Sequence, residues 1–253
     1  MSAQALARFV PDEPAGHHGL ADVLALDPES DTLDRLMRRR RGTAVRGSHR
    51  MQVLCEELGD PQRQLATIHV VGTDGKTSVV RLVASMLDAL GYRTGETTSP
   101  HLQDVTERIH IARRQVDRES LLGDLDELAP ALARAERRLG EPVTFFEAIS
   151  GVALRRFVTE GVGAAVVEAG IGGQGDATNV LAAPVVALTL IGDDHPELGA
   201  SPAQIAAEKA GVTAPGAVVV STVQRPEVLK VVERTVAARG GRLLVAGRDH
   251  QVL

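Results

Sequence analysis

The stretch Ala66–Leu90, ATIHVVGTDGKTSVVRLVASMLDAL, decides the fold. Its first part, Thr67–Val71, is short and mostly apolar, as a buried strand requires. The turn Gly72-Thr73-Asp74-Gly75-Lys76-Thr77-Ser78 follows. A helical pattern then places Val79, Leu82, Val83, Met86, Leu87 and Leu90 on one face. A strand that enters a glycine turn and leaves as a helix makes an anion cradle. Loop N–H groups and the positive helix terminus point at the ligand, and Lys76 adds a mobile charge. The strict phosphate-loop pattern asks for a glycine five positions ahead of Gly75, and this chain has Val70 there. The shorter form G-T-x-G-K-T remains, framed by the right elements on both sides, and it points to a nucleoside triphosphate.

Outward from that stretch, apolar runs alternate with helical patterns. Arg93–Thr97 reads as a second strand, Ser120–Leu139 and Phe145–Glu160 as helices, and Ala164–Ala169 and Pro184–Ile191 as buried strands. Ser201–Ala210 reads as a helix. Ala217–Ser221, Pro226–Ala238 and Arg242–Ala246 read as strand, helix and strand. This alternation implies an α/β fold, a mostly parallel sheet with helices on both faces. Upstream, residues 1–31 have no period and read as a flexible arm, leaving 32–253 as the folded unit. Leu33–Leu58 carries a charged helical pattern, in which Arg38–Arg41 reads as a solvated face.

Composition excludes several classes. The formal charge of −5 argues against a nucleic-acid partner, and 2% aromatic residues leave few stacking platforms for bases. Cys55 is the single cysteine, so no internal disulfide forms and a cytoplasmic location is expected. No apolar run is long enough to span a membrane, and the first residues lack the basic and apolar regions of a signal peptide.

In open parallel sheets ligands collect beyond the carboxyl ends of the strands. The glycine turn, Ser99-Pro100-His101, Glu168 and Asp194-His195 each follow a different predicted strand, so parallel strands bring all four to one rim. Triphosphate chemistry needs a lysine on the phosphates and hard oxygen ligands for Mg²⁺. Lys76 fits the first role. Thr77 or Ser78 offers a hydroxyl, and Glu168, at the end of an apolar strand, offers a carboxylate. His195 is a further metal candidate. Gly170–Gly173 with Asp176–Asn179 reads as a mobile loop carrying a polar anchor.

These segments together carry a resemblance. GTDGKTS, TTSPHL, ERIHI at Glu107–Ile111, FFEA at Phe145, VVEAGIGGQGDATNV, IGDDHPELG and IAAEKAG resemble the ordered motifs of the folylpolyglutamate synthase and dihydrofolate synthase family, within the Mur ligase superfamily. The resemblance implies a P-loop fold like the Mur ligase central domain and an ATP-dependent acid–amino acid ligase. In such a reaction a carboxylate attacks the γ-phosphate to give an acyl phosphate, and the amine of glutamate or a similar amino acid displaces phosphate. It implies ATP held by Gly72, Thr73, Asp74, Gly75, Lys76, Thr77, Ser78 and Asn179, and Mg²⁺ held by Ser99, Glu168 and His195. It assigns Gly172, Gly173 and Asp176 to a loop organising the acyl substrate. Lys76, His195 and Lys209 fall in catalytic positions, Lys209 matching a lysine that family members carry as a carbamate.

The chain departs from the family pattern at Asp74 and Thr77 in the glycine turn, at Gln174-Gly175 and at Pro196. Asp74 sets a carboxylate beside bound phosphates, which repels them unless a cation intervenes. The family also carries a C-terminal domain that closes over ATP, and the sequence stops at Leu253, short of it. A fragment, one half of a split ligase completed by a separate protein, or a partner-dependent nucleotide-binding scaffold each fit. A plain P-loop hydrolase or kinase is a further alternative, although it leaves the SPH, EAGIGG and EKAG segments without a role.

Overall fold

The computed structural model describes residues 32–37, 48–193 and 195–249. The arm expected over 1–31 and the arginine run Arg38–Arg41 lie outside these residues.

Eight strands form one sheet. They are β1 (Thr67–Val71), β2 (Thr94–Thr97), β3 (Ile109–Ile111), β4 (Arg114–Gln115), β5 (Ala164–Glu168), β6 (Val185–Leu188), β7 (Val218–Ser221) and β8 (Arg242–Val245), in the order β4-β3-β2-β5-β1-β6-β7-β8. From β2 to β8 every pair is parallel, while β3 and β4 add an antiparallel edge. The helices are α1 (Thr32–Met37), α2 (His49–Glu57), α3 (Lys76–Ala89), α4 (Arg118–Leu139), α5 (Phe145–Thr159), α6 (Pro202–Ala210) and α7 (Pro226–Ala238).

The sheet's two faces are covered unequally. Registers Thr67↔Ala165, His69↔Val167 and Val71↔Leu188 put Ala165, Val167, Val186, Leu188 and Val219 on one face. A large core buries that face, with Met51, Leu54, Leu121, Leu125, Leu132 and Phe157 from α2, α4 and α5 at one end. Ile205, Ala210, Val228 and Val232 from α6 and α7 cover the other. On the opposite face only α3 among the described helices packs down, its Val80 and Ala84 meeting Val70 and Val166. Beyond α3, the residues Val185, Ala187, Val218, Val220 and Leu244 stay half-buried.

The apolar face expected for α3 is therefore corrected. Leu82, Met86 and Leu90 are exposed, at 57%, 61% and 74%, and the buried pair is Val80 and Ala84. Val79, Val83 and Leu87, the rest of the expected face, are partly buried against this core. A helix that lies close on a sheet puts its small residues at the contact, and side-chain hydropathy alone does not say where the sheet is. Within the helical pattern of Leu33–Leu58, the described residues form α1 and α2.

Local signals account for the other element ends. Thr144 and Glu147 form a reciprocal capping box that starts α5, Asp117 caps α4, and Ser201 caps α6 ahead of Pro202. Buried Arg50 reaches from α2 to Glu147, its Nε 3.0 Å from Oε1. The Glu of the FFEA segment thus ties two helices of the core together.

Candidate functional site

Because β1, β2, β5 and β6 run parallel, the turns leaving their carboxyl ends emerge at one edge of the sheet. β1 leads into the glycine turn. Gly72 sits so close to β6 that an added Cβ would lie 1.8 Å from the Thr189 hydroxyl, which is why a glycine opens the turn. Gly75 is the N-cap of α3 at φ 82°, a left-handed conformation that suits glycine. The turn is also braced by the segment after β6: Thr73 N–H donates to the Leu190 carbonyl at 2.8 Å, and Gly192 N–H donates to the Thr73 hydroxyl at 3.2 Å. The first-turn amides of α3 have no partner four residues back, so their N–H groups face out of the helix end.

Lys76 folds back over its own loop, Nζ donating to the carbonyls of Gly72 at 3.1 Å and Thr73 at 3.0 Å. From α6, buried Lys209 reaches the same Gly72 carbonyl at 2.8 Å. Two lysines distant in sequence thus share the Gly72 carbonyl.

Thr77 joins this turn to β5. Its hydroxyl donates to Glu168 Oε2 at 2.8 Å, and the Ser99 backbone N–H donates to the same carboxylate. Glu168 is buried, and that burial pushes its carboxyl above the ordinary range, against the hydrogen bonds from Thr77 and Ser99 and the charges of Lys76 and Arg81. A partly desolvated carboxylate beside a threonine hydroxyl and a serine is a hard-oxygen donor set. It suits Mg²⁺, which uses one or two carboxylates and fills its remaining positions with water and phosphate oxygens. Among the described residues no three His, Cys, Asp or Glu side chains form a metal-binding group. His195 is exposed and lies 3.7 Å from Glu197, while Asp194 lies outside the described residues. Of the three expected metal residues, the hydrogen bonds bring Ser99 and Glu168 together, with His195 standing on the loop after β6.

The glycine-rich segment after β5, expected to be mobile, is fastened to α6. Gln174 N–H donates to the Glu208 carbonyl and Gly175 N–H to the Glu208 carboxylate, both at 2.8 Å. A Cβ on Gly173 would lie 2.7 Å from that carbonyl and 2.8 Å from Lys209 Cα, so the approach admits only glycine. Gly172 is buried at φ 83° against Leu198. Asn179 Nδ2 closes the segment onto the Gln174 carbonyl at 3.0 Å. Asp176 is fully enclosed and accepts the N–H groups of Gly170, Ile171 and Thr178 and the Thr178 hydroxyl. Burial raises its pKa, and these bonds oppose the rise. Thr178 in turn meets His69 Nε2 on β1 at 2.8 Å, and burial takes that imidazole down to about 4. Asp74, Gly75, Thr77 and Ser78 are exposed around the mouth, and Ser99 is half-exposed.

Sequence reasoning missed His69 and Arg81. His69 sits at an inward position of an apolar strand, where a polar residue signals a buried partner. Arg81 interrupts the apolar helix one turn beyond Lys76.

A mostly parallel sheet with this glycine turn, lysine and strand-end glutamate defines a P-loop domain of the Mur ligase type. In sequence and fold alike, the chain corresponds to the N-terminal portion of the folylpolyglutamate synthase/dihydrofolate synthase family. It is 40% identical over 196 residues to a dihydrofolate synthase/folylpolyglutamate synthase of Mycobacterium tuberculosis, covering 72% of this chain and 40% of that protein. It is 36% identical over 212 residues to the folylpolyglutamate synthase of Lacticaseibacillus casei, covering 83% of this chain and 50% of that one. Among solved structures, the M. tuberculosis folylpolyglutamate synthase complexed with ADP and AMPPCP superposes with TM-score 0.78 at 37% identity, over 84% of this chain and 48% of that chain. A folylpolyglutamate synthase in complex with AMPPCP and folate gives TM-score 0.81 at 32% identity, over 91% of this chain and 55% of that chain. No family model matches the sequence. The chain spans about half the length, or less, of these relatives. Among the described residues no helix is long and apolar enough to cross a membrane.

Proposed function

We propose that this chain binds ATP with Mg²⁺ at the rim and forms the nucleotide-binding part of an acid–amino acid ligase. The observation that carries the reading is the meeting of Thr77, Glu168 and Ser99, from three separate turns, one residue from the phosphate-loop lysine. Lys76 exchanges its loop carbonyls for phosphate oxygens, and the first-turn amides of α3 take up the remaining charge. Thr77, Glu168 and Ser99 would hold the Mg²⁺, with His195 on the loop after β6 a further candidate ligand. The ion supplies neutralisation of the charge that builds up on the transferring phosphoryl group.

The fastened segment Gly172–Asn179 lines the path of the acid, with Gly173 keeping it against α6 and Asp176 holding its turn. One relative is held with both AMPPCP and folate, so a folate-type carboxylate is the first acid to try, with glutamate as amine. Closure over the nucleotide comes from the portion of the family beyond the part matched here, in the same polypeptide or as a separate protein.

The test is ATP-dependent amide formation from a folate-type acid and glutamate, with and without a protein supplying that further portion. Product in either arm supports the ligase, and absence of product in both removes it. The exposed Asp74 carboxylate beside Lys76 favours a second reading, a nucleotide-binding scaffold subunit without turnover. Calorimetry showing Mg-ATP binding together with no product in either arm selects that reading.

A further inference from the structure

Arg81 lies one turn beyond the phosphate loop on α3, and its guanidinium is shared among three partners. Nη1 donates to Glu96 Oε2 on β2 at 2.7 Å. Nη2 donates to the Thr98 hydroxyl at 3.3 Å and to the Glu107 carbonyl at 3.1 Å. Glu96 is 2% exposed, so this pair is anchored in the sheet. Thr98 and Glu107 are the two ends of the loop that carries Ser99. Thr98 N–H pairs with the Arg108 carbonyl, and the Thr98 hydroxyl donates to the Glu107 carbonyl at 3.2 Å. The Glu107 carboxylate then gathers the N–H groups of Leu102, Gln103 and Asp104, each at 2.8 Å. One planar fork therefore closes the base of a loop whose interior is tied to the residue at its end.

We infer that Arg81 is a positioning residue that locks the Ser99 loop to the nucleotide-binding helix, so that Ser99 and Glu168 are set for the metal by the same helix that carries Lys76 and Thr77. The inference rests on the nucleotide-binding reading and deepens it. The geometry asks for arginine specifically: lysine keeps the charge opposite Glu96, yet a single ammonium does not span Glu96, Thr98 and Glu107 in one plane. His110, the cross-strand neighbour of Glu96, is held neutral by burial and by Arg81, its pKa brought down to about 4, so it does not compete for the Glu96 charge near neutral pH.

The experiment compares wild type, Arg81→Lys, and the double variant Arg81→Met/Glu96→Gln, which removes both charges and leaves no buried carboxylate unpaired. Two quantities are read: hydrogen exchange of the Leu102, Gln103 and Asp104 amides, and calorimetric affinity for a non-hydrolysable ATP analogue with and without Mg²⁺. In Arg81→Lys the loop amides exchange about tenfold faster, and the Mg²⁺-dependent gain in affinity falls about tenfold, while metal-free affinity stays within about twofold. The double variant behaves as Arg81→Lys in both. If Arg81 only neutralises Glu96, Arg81→Lys matches wild type in both quantities, and the inference is overturned. A changed loop with an unchanged Mg²⁺ gain overturns it too. A wild-type chain that binds no nucleotide removes the ligase reading itself and the coupling with it, which separates the two failures.

Discussion

The rim has two unlike halves. On the side built by β1, β2 and β5, hydrogen bonds tie side chains of different elements together. Thr77 and Ser99 hold Glu168, Arg81 holds Glu96 and the loop base, and His69 backs the Thr178–Asp176 pair beneath the glycine segment. On the side built by β6, Leu190 is 45% exposed, and His195 is exposed beside Glu197. The first half is held by its own hydrogen bonds, so a ligand of the kind proposed would cost its residues little further ordering. The start of the second half is tied to the glycine turn through Leu190 and Gly192, while the side chains of Leu190 and His195 face solvent.

That contrast yields a ranked set of expectations. The largest concerns the buried support of the ordered half. His69 is held near pH 4 inside the fold, while the unfolded chain protonates it near 6.5. The unfolded state therefore binds more protons as pH falls from about 6.5 to 4, and the fold loses stability over that window, by about 3 kcal/mol from this residue. Asp176 and Glu168 act in the opposite sense, since burial raises their pKa and the folded chain takes up their protons first. The informative quantity is the difference between wild type and His69→Gln in urea unfolding at pH 7 and at pH 4.5. A pH-independent difference would show that His69 titrates alike in both states, and the ordered half would lose its buried anchor.

Next comes Lys76→Ala, for which nucleotide affinity by calorimetry should fall about a hundredfold, as expected when charge-assisted bonds to phosphate are removed. A drop of less than about threefold would move the phosphate site away from this turn. Glu168→Gln should lower the Mg²⁺-dependent part of the affinity about tenfold. Because the native carboxylate is ionised at a cost in the fold, this variant should also melt at a higher temperature at pH 8. That gain should shrink as the pH falls towards the raised pKa of Glu168, where wild type becomes neutral too. A lower melting temperature at pH 8 would mean that its bonds to Thr77 and Ser99 outweigh the burial cost.

The smallest effect belongs to the open half. His195→Ala should change metal-free nucleotide affinity by less than about twofold, since the group is exposed. A loss matching that of Glu168→Gln would show the histidine already engaged with the nucleotide, and would erase the contrast.

Much of the fold was legible because its strands are short apolar runs between punctuating residues. β1 was read at Thr67–Val71 and α7 at Pro226–Ala238, both as found, and β6, β7 and β8 agree to within a few residues at their ends. The convergence of the glycine turn, Ser99 and Glu168 followed from parallelism alone. The β3–β4 hairpin was not legible. Its strands are three and two residues long, and its turn places Ala112 and Arg113 at positive φ, where the recognisable signal would be glycine or asparagine. The orientation of α3 was legible only in part, since Leu82, Met86 and Leu90 are exposed while Val80 and Ala84 make the buried contact, flanked by Val79, Val83 and Leu87. Arg81 and His69 were hidden for a shared reason. Their roles depend on partners 15 to 109 residues away, which no local pattern encodes.

The uneven clothing of the sheet has a practical corollary. Half-covered valines and Leu244 share a face of the sheet with α3, which carries the bare Leu82 and Met86, giving this chain an adhesive flank. Ammonium sulfate should therefore salt the protein out at modest concentration, and a Leu82→Lys/Met86→Glu surface variant should stay dispersed. Light scattering against salt is enough to check it.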